Sequence, residues 1–105
     1  MAARITGAEF DERVLRSERP VLVDFYSDSC IPCKMLSPVL SQIETENEGR
    51  LDVYKVNIAY EEALTDKYEV QAAPTLIFFK DGSELSRIRG KTGADDIRAE
   101  LEKII

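Results

Sequence analysis

The stretch Asp28-Ser29-Cys30-Ile31-Pro32-Cys33-Lys34 holds both cysteines of the chain, separated by two residues. An apolar run from Val21 to Tyr26 precedes it, and a helical pattern follows it. Two thiols at this spacing at the start of a helix form a dithiol that can close into a disulfide and reopen. The stretch therefore indicates electron transfer through a disulfide.

The sequence on either side of the cysteines predicts a strand followed by a helix. The run from Val21 to Tyr26 is typical of a buried strand. The helix begins near Cys30 and is closed by Gly49. Apolar residues recur along it at helical spacing, at Met35, Leu36, Val39, Leu40 and Ile43.

The rest of the chain predicts further helices and strands in alternation. These are a capped helix opening at Thr6-Gly7-Ala8-Glu9, a strand over 51–58, a short helix over 61–68, strands over 75–80 and 84–89 around Asp81-Gly82-Ser83, and a last helix capped by Thr92-Gly93-Ala94-Asp95 with Ile97, Leu101, Ile104 and Ile105 inward. A short strand over 3–5 comes first. This order predicts an α/β fold, with a mixed central sheet of four to five strands flanked by four helices on both faces. The first two long strands should be parallel and the last two antiparallel.

Length and composition limit the classes of protein to consider. A chain of 105 residues predicts a single domain over 1–105. The formal charge of −6 argues against a nucleic-acid partner, which needs clustered Lys and Arg. No apolar run approaches the ~20 residues of a membrane span, and the N-terminus lacks the apolar segment of a secretory signal. We therefore expect a cytoplasmic protein, in which a lone cysteine pair is more often catalytic than structural.

The chain resembles the thioredoxin family over nearly its whole length. The stretches that carry the resemblance are Val21-Leu22-Val23-Asp24-Phe25, Cys30-Ile31-Pro32-Cys33-Lys34-Met35 with Pro38, Lys55-Val56-Asn57, Ala73-Pro74-Thr75, Phe79-Lys80-Asp81-Gly82 and Gly90. The resemblance implies the thioredoxin fold and a thiol–disulfide oxidoreductase that reduces disulfides in target proteins, for electron transport and cell redox homeostasis. It also implies a thioredoxin-reductase-type electron donor, a monomer, and neither a bound cofactor nor a metal.

The cysteine motif departs from the usual family pattern, which reads Trp-Cys-Gly-Pro-Cys with another Trp a few residues earlier. Here Ser29 precedes the first cysteine, Ile31 replaces the glycine, and Tyr26 occupies the earlier Trp position. The chain contains no Trp. We expect these changes to alter the choice of partner rather than the chemistry.

Three other hypotheses remain open at this stage. The protein could be a dedicated electron carrier for one partner system. It could be a non-enzymatic interaction module that uses the fold as a docking surface, although such a module would need neither cysteine. A zinc-linked dimer is the third, because structural zinc needs four ligands and this chain has two cysteines and no His.

The position of each cysteine predicts its role. Cys30 lies at a helix N-terminus, where free N–H groups and the helix dipole stabilise a thiolate, so it should be the attacking nucleophile. Cys33 comes about one turn later and should be the more buried, resolving thiol. Pro32 lies in the first helical turn, where its missing N–H costs little, and it should stiffen the segment between the sulfurs.

The remaining candidate residues come from other strands and loops. Asp24 is an acid inside an apolar strand, where burial raises a carboxyl pKa, and the resemblance implies that it moves the proton of the second cysteine. Lys55 on the neighbouring strand could pair with Asp24 and modulate its pKa, or could reach solvent. The resemblance also implies that Pro74 follows a cis peptide bond and faces the dithiol. The substrate groove would be lined by Ile31, Pro32, Ala73, Pro74 and Gly90.

Overall fold

The sheet contains five strands, and the computed structural model describes residues 2–105. The strands are β1 (Ala3–Arg4), β2 (Val21–Tyr26), β3 (Asp52–Asn57), β4 (Thr75–Lys80) and β5 (Ser83–Arg89). The helices are α1 (Gly7–Phe10), which continues as a π-helical turn over Asp11–Leu15, α2 (Ile31–Glu46), α3 (Glu62–Lys67) and α4 (Ala94–Glu102). The predicted order of elements is confirmed, including the short first strand.

Strand β2 lies at the centre of the sheet, whose order is β1-β3-β2-β4-β5. It pairs in parallel with β3 and antiparallel with β4, and β5 pairs antiparallel with β4. All six residues of β2 are buried. The mixed sheet and the orientation of its strands agree with the sequence prediction.

Side chains of β2 alternate between two apolar layers, as the pleat of a strand requires. Val21, Val23 and Phe25 pack into the layer that contains Phe10 of α1. Leu22 packs into the other layer, whose further members are Leu36, Leu40, Ile43, Leu51, Val53, Leu76, Phe78, Ile97, Leu101 and Ile104. Helices therefore cover both faces, with α2 and α4 on the Leu22 side.

Three local predictions are wrong. Met35 is 63% exposed, because the buried stripe of α2 follows Leu36, Leu40 and Ile43, and Met35 lies about 100° around the helix from Leu36. Ile105 is 44% exposed, since it lies beyond the last turn of α4. Thr92 does not cap α4: the N-cap residue is Gly93, without a side-chain hydrogen bond.

None of the helices within residues 2–105 combines the length and the apolar character needed to cross a bilayer.

The hairpin between β4 and β5 has a two-residue loop. Lys80 pairs with Ser83, and the two residues between them have positive φ, +53° at Asp81 and +81° at Gly82. The two-residue turn that matches the twist of a hairpin requires positive φ at both of its residues. Asp and Gly tolerate this conformation, which is why the Asp-Gly pair predicted the hairpin.

We expect Gly82→Ala to destabilise the protein more than Gly49→Ala. Both glycines have positive φ, which costs an L-residue about 1 kcal/mol or more. A Cβ at Gly82 would also lie 3.2 Å from the Leu15 carbonyl oxygen, whereas one at Gly49 would meet no described atom within 4 Å. Urea unfolding measures both losses, and equal losses would contradict a contribution from the Leu15 contact.

Candidate active site

Cys30 is the N-cap residue of α2, with extended backbone angles of φ −90° and ψ 111°. Its own N–H donates to the Ser27 carbonyl at 3.2 Å, which closes the turn that leads out of β2. The Cys33 backbone N–H donates to Cys30 Sγ at 3.2 Å. One of the free N–H groups of the helix terminus is therefore aimed at the sulfur, where it stabilises negative charge.

The two cysteines form a disulfide in this structure, with their Cα atoms 5.2 Å apart. Cys33 is only 3% exposed, because it lies on the buried stripe of α2, whereas Cys30 is partly accessible. Pro32 occupies the first helical turn between them and is exposed. The two sulfurs therefore differ in accessibility, and a large substrate reaches Cys30 before Cys33.

A loop with a cis peptide bond lies against the dithiol. The Ala73–Pro74 bond is cis, and the Ala73 carbonyl oxygen lies 3.4 Å from Cys30 Sγ. The buried Thr75 hydroxyl donates to the Ala72 carbonyl at 2.7 Å and fixes the loop from within. The Gly90 N–H donates to the Pro74 carbonyl at 2.8 Å. Ala73, Pro74 and Gly90 thus meet at the same end of the sheet as Cys30.

Two apolar side chains project from the first turns of α2. Ile31 is 69% exposed and Met35 is 63% exposed. They are four residues apart and so lie on one face of the helix, beside the cysteines. Ile31 was predicted to line the groove, whereas Met35 was counted with the apolar residues that recur along α2. The sequence signal for the exposure of Met35 was its position four residues after Ile31. At that spacing the two side chains share a helix face that is separate from the buried stripe of Cys33 and Leu36.

A buried asparagine, to which the sequence prediction assigned no role, holds the loop before Cys30. Asn57 ends β3 and is 1% exposed. Its Nδ2 donates to Asp28 Oδ2 at 3.2 Å, and its Oδ1 accepts the Ala59 N–H at 2.9 Å. The amide thereby links the loop after β3 to the loop before α2. A buried polar residue at the end of an apolar strand was the available signal.

Asp24 is fully buried, and its side chain faces the α2 layer, since it lies two residues after Leu22 on β2 and therefore on the same face of the sheet. Within residues 2–105, neither of its carboxyl oxygens has a hydrogen-bond partner. Burial raises the pKa of Asp24 to about 7, and the positive charge of Lys55 acts in the opposite direction. An acid whose pKa lies near neutral pH is therefore buried on the sheet face that is covered by the helix carrying Cys33.

Lys55 does not form an ion pair with Asp24 in the part of the chain that the structure describes. The two residues are register partners on β3 and β2. The Lys55 ammonium instead lies 4.5 Å from the centre of the Tyr26 ring. Lys55 also lines a surface pocket that reaches Cys33. The structure thus brings the loop of Ala73 and Pro74 to the dithiol, and it places Lys55 beside Asp24 but not bonded to it.

Comparison with known proteins gives one consistent result. A family model described as Thioredoxin matches residues 1–103. The chain is 40% identical over 102 residues to a thioredoxin from Mycobacterium tuberculosis, covering 97% of this chain and 88% of the relative. It is 36% identical over 102 residues to Thioredoxin 1 from Nostoc sp., covering 97% and 95%. It is 36% identical over 100 residues to a thioredoxin from Staphylococcus aureus, covering 95% and 94%.

The burial of Asp24 predicts a specific dependence of stability on pH. The unfolded chain ionises this carboxyl near its ordinary pKa of 3.8, whereas the folded protein keeps the proton up to about pH 7. Because the folded state binds the extra proton between these values, the contribution of Asp24 to the free energy of unfolding falls as pH rises from about 4 to about 7 and is then level. We expect Asp24→Asn to remove this fall. The free energy of unfolding of the variant relative to the parent should therefore be higher at pH 8 than at pH 4, by roughly 4 kcal/mol.

Urea unfolding of parent and variant at the two pH values measures this difference, in which any constant cost of a buried amide cancels. Asp66→Asn, which changes an exposed carboxylate on α3, is the matched control and should leave the pH dependence intact. An Asp24→Asn variant with the same pH dependence as the parent would contradict a raised pKa at Asp24.

Proposed function

This chain belongs to the thioredoxin family and is a thiol–disulfide oxidoreductase, and we propose that Cys30 and Cys33 are the thiols through which it reduces disulfides in target proteins. The observation that carries this proposal is the Cys33 N–H aimed at Cys30 Sγ at 3.2 Å. A helix terminus that donates to one sulfur of a dithiol favours the thiolate at that sulfur, and the thiolate is the reactive form.

In the first step the Cys30 thiolate attacks one sulfur of a target disulfide. A Cys30–target S–S bond forms as the S–S bond of the target breaks, and the released target sulfur leaves as a thiolate that takes up a proton. The Ala73 carbonyl and the exposed Ile31 lie beside the attacking sulfur. An extended target segment can lie along the loop of Ala73 and Pro74, where backbone groups and shallow apolar contacts hold it.

In the second step Cys33 resolves the mixed disulfide. Asp24, as a carboxylate, accepts the Cys33 proton, and the Cys33 thiolate attacks Cys30 Sγ. The Cys30–target bond breaks, the second target sulfur leaves and is protonated, and the chain is left with the Cys30–Cys33 disulfide. Two electrons have then passed to the target. A carboxyl with a pKa of about 7 is well matched to this proton transfer at neutral pH.

A further cycle needs two electrons from outside the chain. We propose that a reductase of the thioredoxin-reductase type supplies them, by attack of its own thiolate on the Cys30–Cys33 disulfide. The two sulfurs carry the electrons between the partners, so the exchange itself requires no bound cofactor. A reducing compartment such as the cytoplasm suits this role, because the dithiol must spend part of its cycle reduced. We propose that the protein acts as a monomer.

Cysteine substitutions test the two assigned roles. We expect Cys30→Ser to abolish turnover of protein disulfides, since the attacking sulfur is lost. We expect Cys33→Ser to attack normally once and then to accumulate as a mixed disulfide with the target. Mass spectrometry of the adduct and a turnover assay with dithiothreitol as electron donor measure both effects. A Cys33→Ser protein that turned over like the parent would reverse the roles.

Ile31 should affect target binding and not the sulfur chemistry. Its side chain is exposed beside Cys30, and the stabilising N–H comes from the backbone of Cys33. We expect Ile31→Gly to change KM by several-fold for some members of a panel of unrelated protein disulfides. Its rate with a small disulfide reagent should stay within about twofold. Leu85→Gly, at an exposed position on β5, is the control. An equal loss with small and protein disulfides would assign Ile31 to the chemistry instead.

A further inference from the structure

Tyr26 is the last residue of β2 and is contacted by two positively charged side chains. The Lys55 ammonium lies over its ring, 4.5 Å from the centroid. The Arg4 guanidinium donates to its hydroxyl at 3.4 Å. Tyr26 is 9% exposed, so its ring is held by the surrounding chain. A fixed aromatic face is a binding site for a cation, because the ring carries negative potential on that face.

Lys55 has two neighbours that could bind its ammonium group. Its register partner across the parallel pair is Asp24, and Tyr26 is the next β2 residue on the same face of the sheet. The ammonium lies at Tyr26, and among the described residues Asp24 keeps both oxygens unpaired. Of these two neighbours, the Asp24 carboxyl and the Tyr26 ring, the ring is the one that the ammonium contacts.

The cost of burying two charges accounts for this choice. Asp24 is 0% exposed, so a lysine paired with it would lose most of its hydration. The effective penalty is several kcal/mol for each ion, and the attraction between the charges offsets it only with excellent geometry. Over Tyr26 the ammonium keeps a favourable contact and still lines the surface pocket. Lys55 remains partly solvated there.

We propose that Tyr26 is a positioning residue for the resolving step: its ring holds the Lys55 ammonium away from Asp24, which leaves the Asp24 carboxyl free to exchange a proton with Cys33. This inference rests on the proposed proton-transfer role of Asp24. An ammonium bonded to Asp24 would fix the carboxyl as an anion, and it would then be too weak a base for a thiol at neutral pH. Tyr26 thus acts on the chemistry through Lys55 and does not touch the reacting sulfurs.

The titratable and charged groups on the elements packed around Asp24 can be named for residues 2–105. On β3 the register partner is Lys55. Of the buried residues of α2, which covers this face of the sheet, the one with a titratable group is Cys33, whose sulfur is bonded to Cys30 in this structure. The β4 partner is the apolar Leu76. Asp28 and Lys34 line the same pocket as Lys55. Of these, Asp28 is the one other carboxylate in the pocket lining that a released Lys55 could approach.

The test is the titration of the Asp24 carboxyl, followed by carbon NMR in the oxidised protein. We expect Tyr26→Leu to release Lys55 toward Asp24 and to lower the pKa of Asp24 by about 1 to 3 pH units, as a nearby opposite charge does. Tyr26→Phe, which loses only the hydroxyl that Arg4 contacts, and Tyr26→Trp, which keeps an aromatic face, should leave this pKa within about half a pH unit of the parent. The Tyr26→Leu Lys55→Met double variant should not show the fall.

Several outcomes would overturn the proposal. An unchanged Asp24 pKa in Tyr26→Leu would show that Lys55 turns to solvent or to Asp28 instead. An equal fall in Tyr26→Phe, or in the double variant, would exclude the ring face or the lysine as the cause. Lys55→Met in an otherwise unchanged chain provides a test that does not depend on how Tyr26→Leu folds. It should raise the Asp24 pKa by less than about 1 pH unit, and a larger rise would mean that the two groups are already paired.

The titration also separates this inference from the proposed function. If Asp24→Asn leaves the rate of resolution unchanged across pH 6 to 9, the proton-transfer role of Asp24 fails. The position of Lys55 is judged by the Asp24 pKa alone, without any activity measurement. If both hold, Tyr26→Leu should also shift the pH profile of the resolving step in the acidic direction, in parallel with the Asp24 pKa.

Discussion

Strand β2 has neighbours on both edges and apolar layers on both faces, so every one of its six side chains is buried. This constraint sets the position of the site. The chain leaves β2 after Tyr26 and enters α2 through Cys30, so the N-terminus of the helix lies at the end of the central strand. The parallel neighbour β3 ends with Asn57 at the same end of the sheet, and Asn57 binds the loop between β2 and α2 through Asp28. In open α/β sheets, sites form where the carboxyl ends of parallel strands meet.

The burial of β2 on both faces also makes a carboxyl group at position 24 destabilising to the folded protein. The carboxyl of Asp24, in the middle of β2, has no exposed surface and no hydrogen-bond partner among residues 2–105, and its raised pKa follows from this burial. An apolar residue there would pack against Leu76 and Leu22 without this cost. The fold therefore carries a destabilising group in its buried central strand, on the face covered by the helix that bears Cys33. Strained or costly groups of this kind concentrate where chemistry requires them.

The features that could be predicted from the sequence are those that local sequence patterns determine. The buried strand, the helix after Cys30 and the Asp81-Gly82 turn follow from local patterns that few other conformations satisfy, and each was correct. The direction of Met35 and the capping of α4 were wrong, because both depend on small rotations of a helix relative to its neighbours. The position of Lys55 could not be predicted, since it follows from a competition between desolvation at Asp24 and the face of Tyr26 that exists only in the folded chain.

The contacts at the dithiol also explain how this chain can depart from the usual family motif and keep its chemistry. Backbone groups supply the contacts to Cys30 Sγ, namely the Cys33 N–H and the Ala73 carbonyl. A backbone bond from Gly90 to Pro74 holds the opposite loop. Side chains at positions 29 and 31 project outward and take no part in these bonds, so Ser29 and Ile31 change the surface that a target meets. Tyr26 is different, because it points inward toward Lys55. Its replacement of a Trp keeps an aromatic face, which is the property that the proposed positioning of Lys55 needs at this position.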